Sequence, residues 1–600
     1  MKILNVRRLI LEGLRKNYIV VAALLIFLFM GIVYIQKNFV NAPFEDGLWM
    51  LPILGKYFNG TLSLHDMTRP FGEHRLIGYH LIFLLNALLF HLNMKVEPLL
   101  CLLSYFFIGI LLYFPYKRSL GASSPNESKD IWVQLSYVTI LFSIFSLVHP
   151  PMILMSTQFT IGTAIFVAAA MFFDQICRGD ARWKTGAKFL ICMAVYLTVF
   201  SGAYFGGALF SLLGCLILKI AAFDDKKLDS LLVVSITLTL MMMLGYLLLT
   251  RTAGGGLGPK LRLFILQPRE TVAALFAGLS ATTIDIHTFM ERFHGQKSII
   301  LINGGFLILL GVYALARFIA LKIYRVSWLP VLLMMYTVGA ILTIRLGRLE
   351  GGWGQPLAEW YSFHMSYYLI GVLWILYYDL FRVESWRNKR SIILPALSMI
   401  FIFSTQGYSD FAQWRRVPYN HAWYEAKKEA LLFPNKDSLN VLDLASFSTE
   451  DELLKDIRIL RKHKLSCFYR NSPDRFSVTI GNDLKSARLL SGWYDWDGHS
   501  IWMGKQSESD FLTGPQGKCS ISAYIPKKFL PNAVTVVTDG TLNVRSKLRE
   551  GSNEIDLDKL SPNAIVKLKI MVDKAFAPNR MGWGPDKREL GLLVSSIKCS

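Results

Sequence analysis

The sequence has few charged residues for a chain of 600. Only 18% are Asp, Glu, Lys or Arg, whereas 53% are apolar and 13% are aromatic. A soluble protein of this length needs more polar surface around its core. The apolar residues are also concentrated, because repeated uncharged runs occupy residues 18–405 and ordinary globular sequence follows from 406 to 600. We therefore predict a polytopic α-helical membrane protein with a soluble C-terminal part.

Two further signals are missing. The basic N-terminus precedes an apolar run from Tyr18 to Ile35, but no small-residue cleavage site follows, so we expect an uncleaved anchor. The glycine-rich stretch from Gly254 to Pro259 lacks the Lys-Ser/Thr that completes a phosphate-binding loop, which favours a flexible turn.

The seven cysteines show no metal-ligand spacing, so no metal site is predicted from them. Three of them lie in the tail. If the tail is extracytoplasmic, two arrangements stay open: a Cys519–Cys599 disulfide with Cys467 free, or three free thiols.

The formal net charge of +21 does not indicate nucleic-acid binding, because Lys and Arg cluster in short segments between apolar runs. Basic clusters of this kind mark the cytoplasmic side of a membrane. They place the N-terminus inside and, with an odd number of crossings, the C-terminal domain outside. The predicted location is a membrane, with the tail outside the cytoplasm.

About eleven spans are expected, since a crossing helix needs about 20 mostly apolar residues. Residues 76–116 contain two apolar pieces, yet Lys117 and Arg118 belong inside. We therefore interpret 76–91 as an interfacial or incompletely inserted helix. The expected spans are 18–36, 98–116, 131–148, 152–173, 187–202, 203–222, 229–249, 298–320, 327–344, 361–379 and 391–406. The main outer loops are then 37–75, 250–297 and 345–360.

The predicted domains are a membrane part (1–405), an extracytoplasmic α/β connecting region (406–484) and a β-sandwich (485–600). In the connecting region, Thr449 and Glu452 fit a capping box ahead of a helix. In the last domain, Cys519 to Ile525, Val534 to Val537 and Val566 to Val572 read as short strands separated by turn residues, which indicates an antiparallel sandwich.

The first outer loop carries adjacent carboxylates, Glu45 and Asp46, directly after the first span. A carboxylate beside a bilayer carries a desolvation cost and is often functional, and a raised pKa would suit it to accept a proton from a sugar hydroxyl. The alternative is a solvated loop that happens to be acidic.

The same loop ends in Glu73, His74 and Arg75, just before the next helix. A guanidinium can bind phosphate through two parallel hydrogen bonds. The alternative is an internal Glu-Arg pair that fixes the loop.

These features resemble the GT-C membrane glycosyltransferases of bacterial surface polysaccharides, which take sugar from a polyprenyl-phosphate donor. The resemblance covers the membrane part as an architecture. At the level of residues it rests on Phe44-Glu-Asp-Gly-Leu-Trp49, Gly72-Glu-His-Arg75 and Gln158 in the next outer turn.

The resemblance implies that Asp46, or Glu45 if the register differs, is the general base of an inverting transfer. Donor phosphate would be bound by Arg75, His74, Arg345 and Arg348. The loop lacks a clean Asp-X-Asp pair, which argues against a required divalent metal, and no other cofactor is predicted. Contacts with the acceptor or substrate would come from Glu73, Gln158, Glu350, Trp353, Glu359 and Tyr361, although Trp353 and Tyr361 also fit an interfacial aromatic belt.

The tail resembles a β-sandwich module similar to carbohydrate-binding jelly rolls, through Gly492-Trp-Tyr-Asp-Trp-Asp-Gly498 and Ile501-Trp-Met-Gly504. The tryptophans of this module would either stack on sugar rings or pack in the hydrophobic core of the domain.

The sequence thus predicts transfer of a sugar from a polyprenyl-phosphate carrier to a surface polysaccharide, such as an O-antigen of lipopolysaccharide, or to its lipid-linked precursor. The expected partners are this donor, a glycan acceptor, the bilayer, and membrane proteins that make or flip the donor. Two alternatives stay open: a transporter or flippase of lipid-linked glycans, and a surface-glycan polymerase.

Overall fold

A computed structural model describes most of the chain. The described residues are 16–43, 46–68, 70–71, 74–75, 77–121, 127–148, 156–200, 205–222, 230–249, 257–349, 352–381, 389–432, 457–460, 462–469, 487–496, 501–513, 516–525, 533–538, 541–561, 565–577 and 589–599. They fall into two compact units. The first unit comprises Met1–Val33, Ser63–Ile82 and Glu97–Arg415, and the second unit comprises Tyr34–Leu62, Phe83–Val96 and Arg416–Ser600.

Helices make up most of the described residues before position 433. They are α1 (Tyr18–Asn38), α2 (Asp46–Trp49), α3 (Leu51–Phe58), α4 (Leu64–Thr68), α5 (Ile77–Phe90), α6 (Val96–Gly121), α7 (Glu127–Phe145), α8 (Ser156–Cys177), α9 (Trp183–Val195), α10 (Phe205–Ala222), α11 (Ser230–Leu249), α12 (Leu257–Leu266), α13 (Pro268–Ser280), α14 (Ile286–Phe293), α15 (Lys297–Ala320), α16 (Leu329–Gly347), α17 (Glu359–Leu380) and α18 (Lys389–Leu432). A π-helical turn, Tyr196–Phe200, continues α9.

Six helices among the described residues are long and apolar enough to cross a membrane. They are Tyr18–Asn38, Val96–Leu120, Thr157–Cys177, Trp183–Phe200, Lys297–Ala320 and Leu329–Gly347. Helix α5 has only 14 residues. At 1.5 Å per residue it is about 21 Å long, shorter than the hydrocarbon core of about 30 Å. This length fits an interfacial position for residues 76–91, and the total of about eleven crossings stays a prediction.

The expected outer loop 250–297 contains three helices, α12 to α14; its glycine-rich start, 251–256, lies outside the described residues. With 10, 13 and 8 residues, these helices are shorter than the roughly 20 residues of a crossing helix, and the position of the segment on the outer side stays a prediction. The small residues of α13 pack closely: a Cβ added at Gly304 of α15 would lie 2.1 Å from the Phe276 carbonyl oxygen. The buried residues of α13 are Ala273, Ala274, Ala277, Gly278, Leu279 and Ser280.

Helix α18 runs for 44 residues across the domain boundary predicted at 405/406. The division between the two units instead falls between Arg415 and Arg416. Hydropathy drops near residue 406, but the helical backbone continues. Trp414 and Trp423, which the sequence placed in the connecting region, belong to this helix. The predicted capping box, Thr449 and Glu452, lies outside the described residues.

The last part of the second unit is an antiparallel sheet. Its strands are β3 (Ala487–Trp496), β4 (Ile501–Leu512), β5 (Cys519–Ile525), β6 (Ala533–Thr538), β7 (Thr541–Lys547), β8 (Gly551–Leu557), β9 (Ile565–Val572) and β10 (Leu593–Cys599), after the short hairpin strands β1 (Pro70–Phe71) and β2 (His74–Arg75). The strands predicted from alternation are present, and buried residues alternate with less buried ones along β5 and β6.

Strand β4 pairs with three other strands of this sheet. Its first residues pair with β10, its last seven pair with β9, and β3 pairs along its other edge. The strand order is β7-β6-β9-β4-β10-β5-β8. Buried residues from strands on either side of β4 in this order, such as Ile521 of β5 and Ile570 of β9, belong to one hydrophobic core. Trp502 is partly buried and packs edge-on against Phe576, with ring centroids 5.7 Å apart, so it helps to close a second, smaller cluster.

Of the two cysteine arrangements, the structure has the one with a disulfide. Cys519 is disulfide-bonded, and Cys599 of β10 lies directly opposite it in the strand register. Cys467 is a buried free thiol.

Candidate functional site

The segment that leads into the acidic loop is fixed within the second unit by Asn41. Its side-chain oxygen accepts a hydrogen bond from the Met94 amide at 2.9 Å, and its side-chain nitrogen donates to the Ser466 carbonyl at 3.1 Å. The Ser466 amide donates in turn to the His91 carbonyl at 2.7 Å. Asn41 therefore joins three distant parts of the chain just before the two carboxylates.

Asp46 is the first residue of α2. Its backbone is anchored by buried neighbours, since Leu48, Leu51 and Leu54 are 5%, 1% and 0% exposed. The Asp46 side chain and Glu45 lie outside the described part of the structure. The predicted base is thus carried on a well-anchored backbone.

His74 and Arg75, near the end of the first outer loop, form one strand of a short hairpin. Strands β1 and β2 pair Pro70 with Arg75 and Phe71 with His74. Glu73 lies outside the described residues, as do the side chains of His74 and Arg75.

Gln158 has a structural role that the sequence did not reveal. It is fully buried, and its side-chain oxygen accepts a hydrogen bond from the Tyr79 amide at 2.8 Å. Tyr79 is the third residue of α5, where amides have no partner within the helix. Gln158 therefore caps α5, and His80, whose Nδ1 lies 2.9 Å from the Met67 carbonyl oxygen, holds α5 to the preceding loop.

Arg345, in the last turn of α16, is the most informative of the predicted residues. Its side chain is only 1% exposed. One terminal nitrogen donates to the Leu349 carbonyl at 2.8 Å and the other to the Gln267 side-chain oxygen at 2.6 Å. Among the described residues its Nε has no hydrogen-bond partner, and no carboxylate pairs with it. A buried guanidinium without a counterion is unfavourable, so this site is suited to an anion.

The other predicted residues near Arg345 differ in their surroundings. Arg348 follows the end of α16 and is exposed. Trp353 is partly buried, with the Lys297 ammonium 4.6 Å from its ring centroid, so one ring face is already occupied. Tyr361 is 4% exposed and belongs to the packed interior. Glu350 and the Glu359 side chain lie outside the described residues.

A buried polar cluster in the first unit was not predicted. The end of α13 and the turn after it bond to two helices: Asn303 of α15 donates to Ser280 Oγ at 2.6 Å, and Gln406 and Ser409 of α18 donate to the carbonyls of Thr282 and Thr283 at 2.9 and 3.1 Å. The available signal was a polar stripe on α18 at helical spacing, formed by Gln406, Ser409, Asp410 and Gln413.

Two carboxylates belong to this cluster. Asp285 caps α14 by accepting a hydrogen bond from the Thr288 amide at 3.0 Å, and Gln413 donates to it at 3.3 Å. Asp410, four residues beyond the last predicted span, accepts from Ser146 Oγ and the Leu147 amide, both at 2.7 Å. Burial raises the pKa of Asp410 to about 7, and the charge of Asp285 acts in the same direction, while the hydrogen bonds oppose it.

We expect Asp410→Asn to remove a pH dependence of stability. Because the folded pKa of about 7 exceeds the ordinary pKa of 3.8 for an aspartate, the folded state binds the proton more tightly. Wild-type stability should therefore fall as pH rises from about 4 to 7, by at most about 4 kcal/mol. The variant should be the more stable protein at pH 8, measured as the thermal unfolding midpoint in detergent. Asp556→Asn, on an exposed strand, is the control, and an unchanged slope in Asp410→Asn would contradict the assignment.

The described residues thus include a buried guanidinium without a carboxylate partner among them, a packed backbone that carries Asp46, and a buried cluster with two carboxylates.

Comparison of the chain with protein-family models, with curated proteins and with solved structures finds no match in any of the three.

Proposed function

We propose that the chain is a membrane glycosyltransferase that moves one sugar from a polyprenyl-phosphate-linked donor to a surface polysaccharide, or to its lipid-linked precursor, on the extracytoplasmic side. In this proposal Asp46, or Glu45, removes the proton from the acceptor hydroxyl, which then displaces the phosphate at the anomeric carbon with inversion. The leaving group is the polyprenyl phosphate. Sugar transfer therefore needs a base and a site for an anion.

Arg345 is the observation that carries the proposal. A buried guanidinium that has no carboxylate partner among the described residues, yet is oriented by Leu349 and Gln267, is preorganised for a phosphate. The charge on the donor phosphate increases as the anomeric bond breaks. A fixed positive charge in a site of low polarity stabilises that change more than the ground state.

The disulfide supports the proposed location. Disulfides persist in oxidising compartments and are rare in the cytosol. Cys519 is in the C-terminal sheet, which the basic clusters place outside. Both arguments support a tail, inferred to be a sandwich, on the outer side of the inner membrane, and the proposed membrane part is a bundle of about eleven spans.

The test is transfer by the purified protein in detergent, with a short-chain polyprenyl-phosphate sugar as donor and isolated surface glycan as acceptor. The expected product carries one added sugar, seen as a single mass increment. A ladder of products would identify a polymerase instead. Translocation of lipid-linked glycan in liposomes without any transfer would identify a flippase, and the proposal would then be abandoned.

A pair of substitutions tests the role of Arg345. Gln267→Glu places a carboxylate 2.6 Å from the guanidinium, at the position now held by an amide oxygen. We expect the KM for donor to rise by about tenfold or more, because the new ion pair competes with phosphate for a charge-assisted hydrogen bond. The thermal unfolding midpoint should not fall.

Arg345→Lys keeps the charge but loses the planar donor pair, so it should raise the KM for donor as well. Glu508→Gln, on a partly buried strand of the sheet, is the control for charge substitution. Unchanged donor KM in both Gln267→Glu and Arg345→Lys would remove Arg345 from the donor site.

A further inference from the structure

A second basic cluster lies in the second unit, where three chain segments meet. The segments are the end of α1, the turn before α6 and the last part of α18. Phe39 stacks on Tyr424 with ring centroids 5.3 Å apart, and both residues are buried. This packing fixes the backbone from which the charged side chains project.

Two basic side chains lie within 4 Å of one carboxylate in this cluster, and a third interacts with it through its charge. Lys428 lies 2.8 Å from Glu425, and His421 lies 3.9 Å from its other oxygen. Lys95 donates to the side-chain oxygen of Gln36 at 3.1 Å. Burial lowers the pKa of Lys95, Glu425 raises it and the like charge of Lys428 lowers it again. Glu425 therefore offsets only part of the positive charge.

Asn38 contributes a buried polar side chain at this cluster. It is fully buried, and neither its side-chain oxygen nor its side-chain nitrogen has a hydrogen-bond partner among the described residues. Buried polar groups are nearly always paired, and leaving both ends of an amide unpaired costs free energy. The Asn38 backbone interacts with the His421 ring, which connects this residue with the basic cluster.

We propose that Lys95, His421 and Lys428, together with Asn38, bind a phosphate group. Two ammonium groups supply charge-assisted donors, and the Asn38 amide supplies a neutral one. The basic side chains are partly open to solvent, with 27% of His421 and 23% of Lys428 exposed, so a ligand can reach them. Asn38 is the last residue of the first apolar helix, a position suited to a lipid headgroup, and free phosphate has the same chemistry. The site does not depend on glycosyl transfer or on Arg345.

The test measures ligand binding to the purified full chain by the shift of its thermal unfolding midpoint. The three probes are dioctanoyl phosphatidate, inorganic phosphate and dioctanoyl glycerol. A rise with both phosphate probes, or with phosphatidate alone, supports the site, and the second result assigns it to a lipid. A rise with neither phosphate probe, or an equal rise with dioctanoyl glycerol, overturns it.

Substitutions separate binding from stability. Lys95→Gln and Lys428→Gln should each weaken phosphate binding by about tenfold or more, since each removes a charged donor. Glu425→Gln should strengthen binding, because it removes the competing carboxylate. Lys569→Gln, on the sheet, should leave binding unchanged. Weaker binding in Glu425→Gln, or unaltered binding in both lysine variants, would show that the cluster is only structural.

Discussion

Asp46→Asn is expected to lower sugar transfer by about 10²- to 10⁴-fold, the usual contribution of a general base. The amide has nearly the same shape as the carboxylate but cannot accept the proton of the acceptor hydroxyl. The loss should appear in kcat, with little change in the KM for donor, because proton removal occurs in the transition state. The measurement is single-sugar transfer under saturating donor.

Glu45→Gln is the matched control for this prediction. It removes the adjacent carboxylate and leaves Asp46 in place, so activity should stay within a few-fold of wild type. If the losses are reversed between the two variants, the base is Glu45 and the register of the motif shifts by one residue. Full activity in both variants would reject the acidic loop as the source of the base. Asn41 anchors this loop through Met94 and Ser466, so a folded variant should keep the loop backbone in place.

The helices and strands of this chain could largely be predicted, because they depend on local patterns. A continuous apolar run such as Tyr18–Asn38 and an alternating one such as Cys519–Ile525 each fit one backbone geometry. The three helices between residues 257 and 293 could not, since each is short and α13 is buried through small residues against neighbouring helices. Burial of that kind is set by the partner helix and is absent from the local pattern.

Hydropathy also could not predict which segments of the chain form the second unit. It combines Tyr34–Leu62 and Phe83–Val96 with the chain after Arg415. The Asn41–Ser466 hydrogen bond spans 425 positions of sequence. No window of 20 residues contains the information for such a contact, so the sequence predicts an outer loop at 37–75 but not the segments against which it packs.

The chemical character of a residue was easier to predict from the sequence than the partners that its side chain has in the structure. The family resemblance implies that Arg345 binds the donor phosphate, and Arg345 is buried without a carboxylate partner among the described residues, although that role stays a prediction. The same resemblance implies that Gln158 contacts the acceptor or substrate, yet its oxygen caps α5. Both are polar residues in a terminal turn of a helix. Only their hydrogen-bond partners distinguish them, and those partners are 78 and 79 positions away.

Cys519→Ser is expected to destabilise the C-terminal sheet by about 4 kcal/mol, on the chain-entropy account of a disulfide that closes a long loop. Without the cross-link, the segments of β5 and β10 can separate in the unfolded chain. The conformational entropy of the unfolded state then rises, which favours unfolding. Cys599→Ser should have the same effect, because that residue is the register partner of Cys519. The measurement is the denaturant dependence of protease resistance in the sheet, and Cys467→Ser, which removes a thiol only, is the control.

The state of Cys519 also reports the side of the membrane on which the sheet lies. In cells treated with a thiol-alkylating reagent and then denatured, Cys467 should react before reduction, whereas Cys519 should react only after it. Cytosolic thiols are kept reduced, so this pattern requires an oxidising compartment. Equal alkylation of both cysteines before reduction would place the sheet in the cytoplasm and reverse the orientation inferred from the basic clusters. Since Asp46 follows the first apolar helix, the same result would also remove the base from the extracytoplasmic side, so the disulfide and the catalytic proposal are tested together.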